Sequence, residues 1–133
     1  MFKISKKGEY GVEVLIALSK SKADNLISIK QISEQYHLPK SFLSQVMSDL
    51  KKAGLVISKE GVSGGYKIAK DLSSITLLEV LQVFEKGTFL VDCMCPNSGG
   101  CSREAFCSSK SSWSSISREL ISYFENKKLS DLI

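Results

Sequence analysis

A mainly α-helical fold carrying one small β-hairpin is predicted by three features of this 133-residue chain. Apolar residues recur at helical spacing in five separate segments. A glycine-rich turn divides two short β-prone runs. The remaining stretch, between the fourth and fifth helical segments, follows neither period and holds every cysteine in the chain.

The first helix is expected from Gly8 to Ser19, where Tyr10, Val14, Ala17 and Leu18 recur on one face. Ser28 and Gln31 form a Ser-x-x-Gln capping box, with Ile27 and Ile32 placed for a hydrophobic staple. The second helix then runs from Ile29 to Tyr36 and should bury Ile29, Ile32 and Tyr36. His37, Leu38 and Pro39 break it, because the residue before proline resists helical geometry. A third helix follows from about Pro39 to Lys52, with Leu43, Val46, Met47 and Leu50 as its core face and Gly54 as its left-handed stop. Leu55 to Ser58 and Tyr66 to Ala69 read as strands around the turn from Lys59 to Gly65. Three helices followed by a hairpin make a winged helix-turn-helix, whose third helix enters the DNA major groove while the hairpin tip follows the backbone or minor groove.

Thr76 and Glu79 form a second capping box, flanked by Ile75 and Val80, and open a fourth helix expected to stop at Gly87. The last helix carries Trp113, Ile116, Leu120, Ile121 and Phe124 as an apolar stripe and ends near Lys127 and Lys128. Little of the chain is left to cover that stripe, so it predicts a long carboxyl-terminal dimerisation helix. Packing back on the first helix is the alternative. The organisation is thus a winged domain with its following helix over residues 1–87, a cysteine-rich loop over 88–108, and a dimerisation helix and tail over 109–133.

All four cysteines fall within fifteen positions, as Cys93, Cys95, Cys101 and Cys107. Pro96, Asn97, Ser98, Gly99 and Gly100 between them are turn formers, so the segment should be a loop folded back on itself. No apolar run follows the first lysines and no stretch approaches a membrane span, which predicts a cytoplasmic protein with reduced thiols. Clustered cysteines there bind metal or sense redox state. The gaps of one, five and five residues suit a structural zinc template poorly, whereas soft thiolates with glycine spacing suit an iron-sulfur cluster.

The net charge of +4 hides an asymmetry. Residues 1–70 carry twelve lysines against six acids, while residues 71–133 carry six basic and eight acidic side chains. A basic amino-terminal half on a winged fold predicts double-stranded promoter DNA as the partner. Ser44, Gln45 and Ser48 are the candidates for base contacts, because glutamine can pair bidentately with adenine and serine can donate or accept. Ser41, Lys40, Lys52, Lys59 and Lys67, with Ser63 and Gly64 at the hairpin tip, are candidates for the phosphate backbone. Hydrolytic catalysis has little support: no histidine lies near the cysteines and no paired carboxylates stand at a recognisable spacing.

The hairpin run Glu60-Gly61-Val62-Ser63-Gly64-Gly65-Tyr66, the segment Lys70 to Ile75, Val91-Asp92, and the triplet Cys95, Cys101, Cys107 resemble the IscR and NsrR group of bacterial winged-helix regulators, the Rrf-two family. Trp113 and the closing Leu129 to Ile133 are similar to that pattern too, so the resemblance spans nearly the whole chain. It implies a homodimeric DNA-binding regulator that senses redox state, nitric oxide or iron-sulfur status through a cluster of the 4Fe-4S or 2Fe-2S kind on those three cysteines. Two departures stand out. The IscR-type histidine position is Lys110, which cannot ligate while protonated. The fourth ligand is then Glu9 from the partner subunit, as the NsrR-type pattern implies, or Cys93. Glu60 also replaces a frequent arginine, and an acid there repels phosphate. Beside this stand a thiol- or zinc-based regulator without a cluster and, in another class, a small electron-transfer or cluster-delivery protein.

Overall fold

The computed structural model describes residues 3–22, 24–87, 90–94 and 98–133. Its elements run α1 (Lys6–Ser19), α2 (Ile29–Tyr36), α3 (Lys40–Lys52), β1 (Val56–Lys59), β2 (Gly65–Ile68), α4 (Leu77–Phe84) and α5 (Lys110–Asn126). Short 3-10 turns stand at Leu72–Ser74, Asp92–Met94, Glu104–Phe106 and Leu129–Leu132. The mainly helical class with a single antiparallel hairpin is as the sequence predicts.

Helix α1 begins two residues before the expected Gly8, because Ser5 is extended and its Oγ accepts from the Gly8 amide at 3.1 Å. Ser5 is itself tied to the end of α4: its N–H and O–H both donate to Glu85 Oε1, at 2.9 and 2.6 Å. That contact explains why α4 stops at Phe84 and not at Gly87. Glu85 leaves the helix in extended geometry and turns its carboxylate to Ser5. The two helices approach closely, for a Cβ on Gly11 would lie 2.3 Å from the Phe84 ring.

Both capping boxes form. Ser28 and Gln31 exchange bonds of 3.1 and 2.9 Å, and Thr76 and Glu79 bonds of 3.0 and 2.8 Å. Lys70 adds an ion pair to Glu79 at 2.9 Å. The Thr76 amide, with Lys70 behind it, holds the Glu79 carboxyl below the usual carboxylate range. On α2 the expected burial holds only for Ile32; Ile29 and Tyr36 are half-buried, because this eight-residue helix packs chiefly on α3 at the edge of the core. His37 closes α2 in the left-handed region at φ 55°, and Pro39 caps α3 from outside, so that helix opens at Lys40. Gly54, at φ 75°, ends α3 in a Schellman pattern: its N–H donates to the Lys51 carbonyl and that of Leu55 to the Leu50 carbonyl, both at 3.0 Å.

The strands sit one residue away from the predicted spans. Val56 pairs with Ile68 and Lys59 with Gly65, so Leu55 belongs to the helix stop and Gly65 joins the ladder. Glycine is required in that tip, since a Cβ on Gly64 would meet the Lys59 carbonyl oxygen at 2.2 Å. Ile27, expected as the staple partner of Ile32, exchanges two backbone bonds with Tyr66 at 2.9 and 2.8 Å and so adds an isolated antiparallel bridge to β2.

The core joins Val14, Leu15, Leu18, Ile32, Leu43, Val46, Met47, Leu50, Ile75 and Val80. Leu129, from the far end of the chain, completes it and is fully buried. The Leu77 amide donates to the Lys127 carbonyl at 2.8 Å and the Leu129 amide to the Ile75 carbonyl at 2.9 Å, which brings the segment after α5 back onto the winged domain. Leu129→Ala is expected to cost about 2 to 5 kcal/mol through lost burial and a residual cavity. Urea unfolding followed by circular dichroism measures that loss. Among the described residues no helix is long and apolar enough to cross a membrane.

Candidate cofactor pocket and nucleic-acid interface

Between α4 and α5 the described residues form a series of turns. The Met94 amide donates to the Val91 carbonyl at 3.1 Å. Farther on, the Glu104 amide donates to the Cys101 carbonyl at 3.1 Å and the Cys107 amide to the Glu104 carbonyl at 3.4 Å. These turns bring Cys93, Cys101 and Cys107 to the walls of one cavity of about 270 Å³, shared with Met94, Glu104, Lys110 and Trp113. Cys93 and Cys101 are exposed and Cys107 is half-buried, all three as free thiols. Cys95 lies outside the described residues. Among those described, no group of three or more histidine, cysteine or acidic side chains is set to hold a metal ion, so the three thiols share a cavity without converging on one point.

The Ser109 hydroxyl, 3.6 Å from Cys107 Sγ, and the amide beside it hold the Cys107 thiol below its ordinary range. Lys110 and Glu104, both on the cavity wall, form an ion pair. The pair pushes the lysine above its usual value and the carboxyl below. The sequence identifies Lys110 only as a residue unable to ligate; its pairing with Glu104 six residues away depends on how the loop turns. Glu9 stands apart from the cavity, exposed on the first turn of α1 and bonded to Lys6 at 2.9 Å.

On α3, Ser41, Ser44 and Gln45 are exposed and Ser48 half-buried, on the side opposite the core residues. Ser44 Oγ donates back to the Lys40 carbonyl at 3.1 Å, and Gln45 Nε2 donates to Asp49 Oδ1 at 3.1 Å. Asp49 is therefore part of this face, one turn beyond Gln45, a spacing that could have flagged it. Lys40, Lys52, Lys59 and Ser63 are exposed, and Gly64 and Lys67 half-buried. Val62 stands fully exposed at the hairpin tip beside Glu60.

Along α5, Trp113, Ile116 and Tyr123 are 41%, 47% and 59% exposed, with half-buried Leu120 between them. Their spacing of three, four and three residues makes a single seam. Ile121 and Phe124 are half-buried in the adjoining row, beside buried Ser117, whose hydroxyl points at Met94 Sδ at 3.8 Å. The helix packs on α4. Tyr123 extends the predicted stripe, and Ile121 and Phe124 turn away from its exposed side.

The sequence model of Rrf2, described as an iron-dependent transcriptional regulator, matches residues 4–133. The chain belongs to the Rrf2 family. The HTH-type transcriptional regulator IscR of Klebsiella pneumoniae strain 342 is 31% identical to this Rrf2 chain over 131 residues, covering 98% of it and 79% of the relative. Among solved structures, T. potens IscR has a TM-score of 0.74 at 29% identity, over 98% of this chain and 85% of that one. CymR, the global cysteine regulator of B. subtilis, has a TM-score of 0.75 at 30% identity, over 99% and 96%. The Rrf2 fold here is accordingly the winged-helix arrangement of a transcriptional regulator, not of an enzyme.

Proposed function

We propose that this chain acts as a homodimeric, cytoplasmic transcriptional regulator whose cysteine loop holds an iron-sulfur cluster and reports redox state, nitric oxide or iron-sulfur status to promoter DNA. The observation that carries the reading is the gathering of Cys93, Cys101 and Cys107 around one cavity walled by Trp113, at the start of α5. Soft thiol donors on a single small cavity fit such a cluster by donor chemistry. Cys95, Cys101 and Cys107 would hold it, with Glu9 from the second subunit or Cys93 completing the set. A bound cluster supplies an oxidisable, nitric oxide-reactive centre. The protein's own residues do the rest: Trp113 lines the cavity and also begins the exposed seam of α5, so one helix serves both the cofactor and the subunit contact.

The reading face of α3 would meet base edges through Ser44, Gln45 and Ser48, with Ser41, Lys40, Lys52, Lys59, Ser63, Gly64 and Lys67 on the phosphates. Gln45→Ala is expected to cost about 1 to 3 kcal/mol of operator affinity and to relax discrimination at one base pair. Fluorescence anisotropy against a panel of single-base operator variants measures both. A second reading, a thiol switch without a cluster, is favoured by the free and accessible Cys93 and Cys101. Anaerobic purification with iron and acid-labile sulfide analysis separates the two, since only the cluster contains both. Colourless, iron-free protein that still binds its promoter as before would overturn the cluster reading.

A further inference from the structure

Lys110 shares the cavity wall with three thiols, and it is fastened there by Glu104. Glu104 is in turn fixed by the backbone, because it sits between Cys101 and Cys107 and bonds to both of their main chains, at 3.1 and 3.4 Å. The cation is thus held by the same turn that presents the two cysteines. Deprotonated thiols and the sulfides of a cluster are anionic, and on a wall that Val91, Met94 and Trp113 make partly apolar Lys110 brings a cation to them.

We infer that Lys110 is the counter-charge of this cavity, a positioning residue that sets the electron affinity of whatever the thiols hold, with Glu104 as the opposing charge that tempers it. The inference rests on the cysteine-pocket reading above, and its natural occupant is an anionic iron-sulfur centre. The lysine field favours the more negative, reduced form of that centre and the thiolate form of the empty site. Lys110, the first residue of α5, stands on the cavity wall and influences the centre through space.

The two charges have opposite signs, which gives the test its discriminating power. Lys110→Met is expected to lower the reduction potential of the anaerobically purified protein, Glu104→Gln to raise it, and Lys110→Arg to restore it. In metal-free reduced protein, thiol reaction with the dianionic disulfide reagent dithiobis(nitrobenzoate) is expected to slow about threefold in Lys110→Met and to quicken by a similar factor in Glu104→Gln. A role confined to holding the loop together predicts instead that both substitutions, each breaking the same ion pair, move both readouts in one direction. That result, or no change in either readout, overturns the inference. Should the purified protein carry no iron, the cluster reading fails by itself, and the opposed thiol rates still decide whether Lys110 supplies the field.

Discussion

Cys107→Ala is expected to leave anaerobically purified protein with almost no iron or acid-labile sulfide while the chain stays folded. Cys107 is the half-buried member of the three described thiols and lies at the end of the turn that leads into α5. Losing it removes a proposed ligand at the joint between loop and helix, where Cys101 cannot take its place without unwinding the bonds through Glu104. None of the described cysteines belongs to the hydrophobic core, so thermal unfolding of the metal-free variant should match that of metal-free parent protein. The same preparation is expected to show altered promoter affinity by anisotropy. Iron and sulfide content equal to that of the parent would remove Cys107 from the ligand set.

A charge in the centre of the α5 seam is expected to have a comparably large effect on assembly. Trp113, Ile116, Leu120 and Tyr123 form an apolar row on a helix whose other side already packs on α4. Burying a large apolar side chain contributes about 1.5 to 3 kcal/mol, and a two-fold interface counts each residue twice. Ile116→Glu would place two carboxylates close to one another across such an interface. We expect sedimentation to shift from dimer to monomer, and affinity for a two-half-site operator to fall about a hundredfold as the second reading head is lost. Affinity for a single half-site should change little. An unchanged dimer mass for the Ile116→Glu protein would assign the seam to something else.

Local chemistry was the most legible part of the sequence. Capping boxes at Ser28 and Thr76, the glycine stop at Gly54 and the helical period of Leu43, Val46, Met47 and Leu50 each depend on residues within one or two turns, and each forms as the spacing predicts. Contacts between distant segments carried no such signal. Nothing near Ser5 announces a bond to Glu85, eighty positions away, and so the early stop of α4 escaped prediction; the start of α1, set by the local Ser5 cap on the Gly8 amide, was legible and was overlooked. Spacing offered Ile27 as a staple for Ile32 and gave no sign of its bridge to Tyr66, which belongs to the distant hairpin. The same limit applies in the cysteine loop. Residue type and spacing pointed to a common centre, but which side chains share the cavity depends on turns through Gly99 and Gly100, both at positive φ, and the Glu104–Lys110 pair follows from that path.

The return of Leu129 to the core bears on how the molecule is made. Translation proceeds from the amino end, so a nascent chain whose first three helices and hairpin have already emerged still lacks one wall of its interior. That wall arrives only when residue 129 is synthesised, after the cysteine loop and α5. The reading head therefore gains its full stability late in synthesis, once the loop that would carry the cofactor has also been produced.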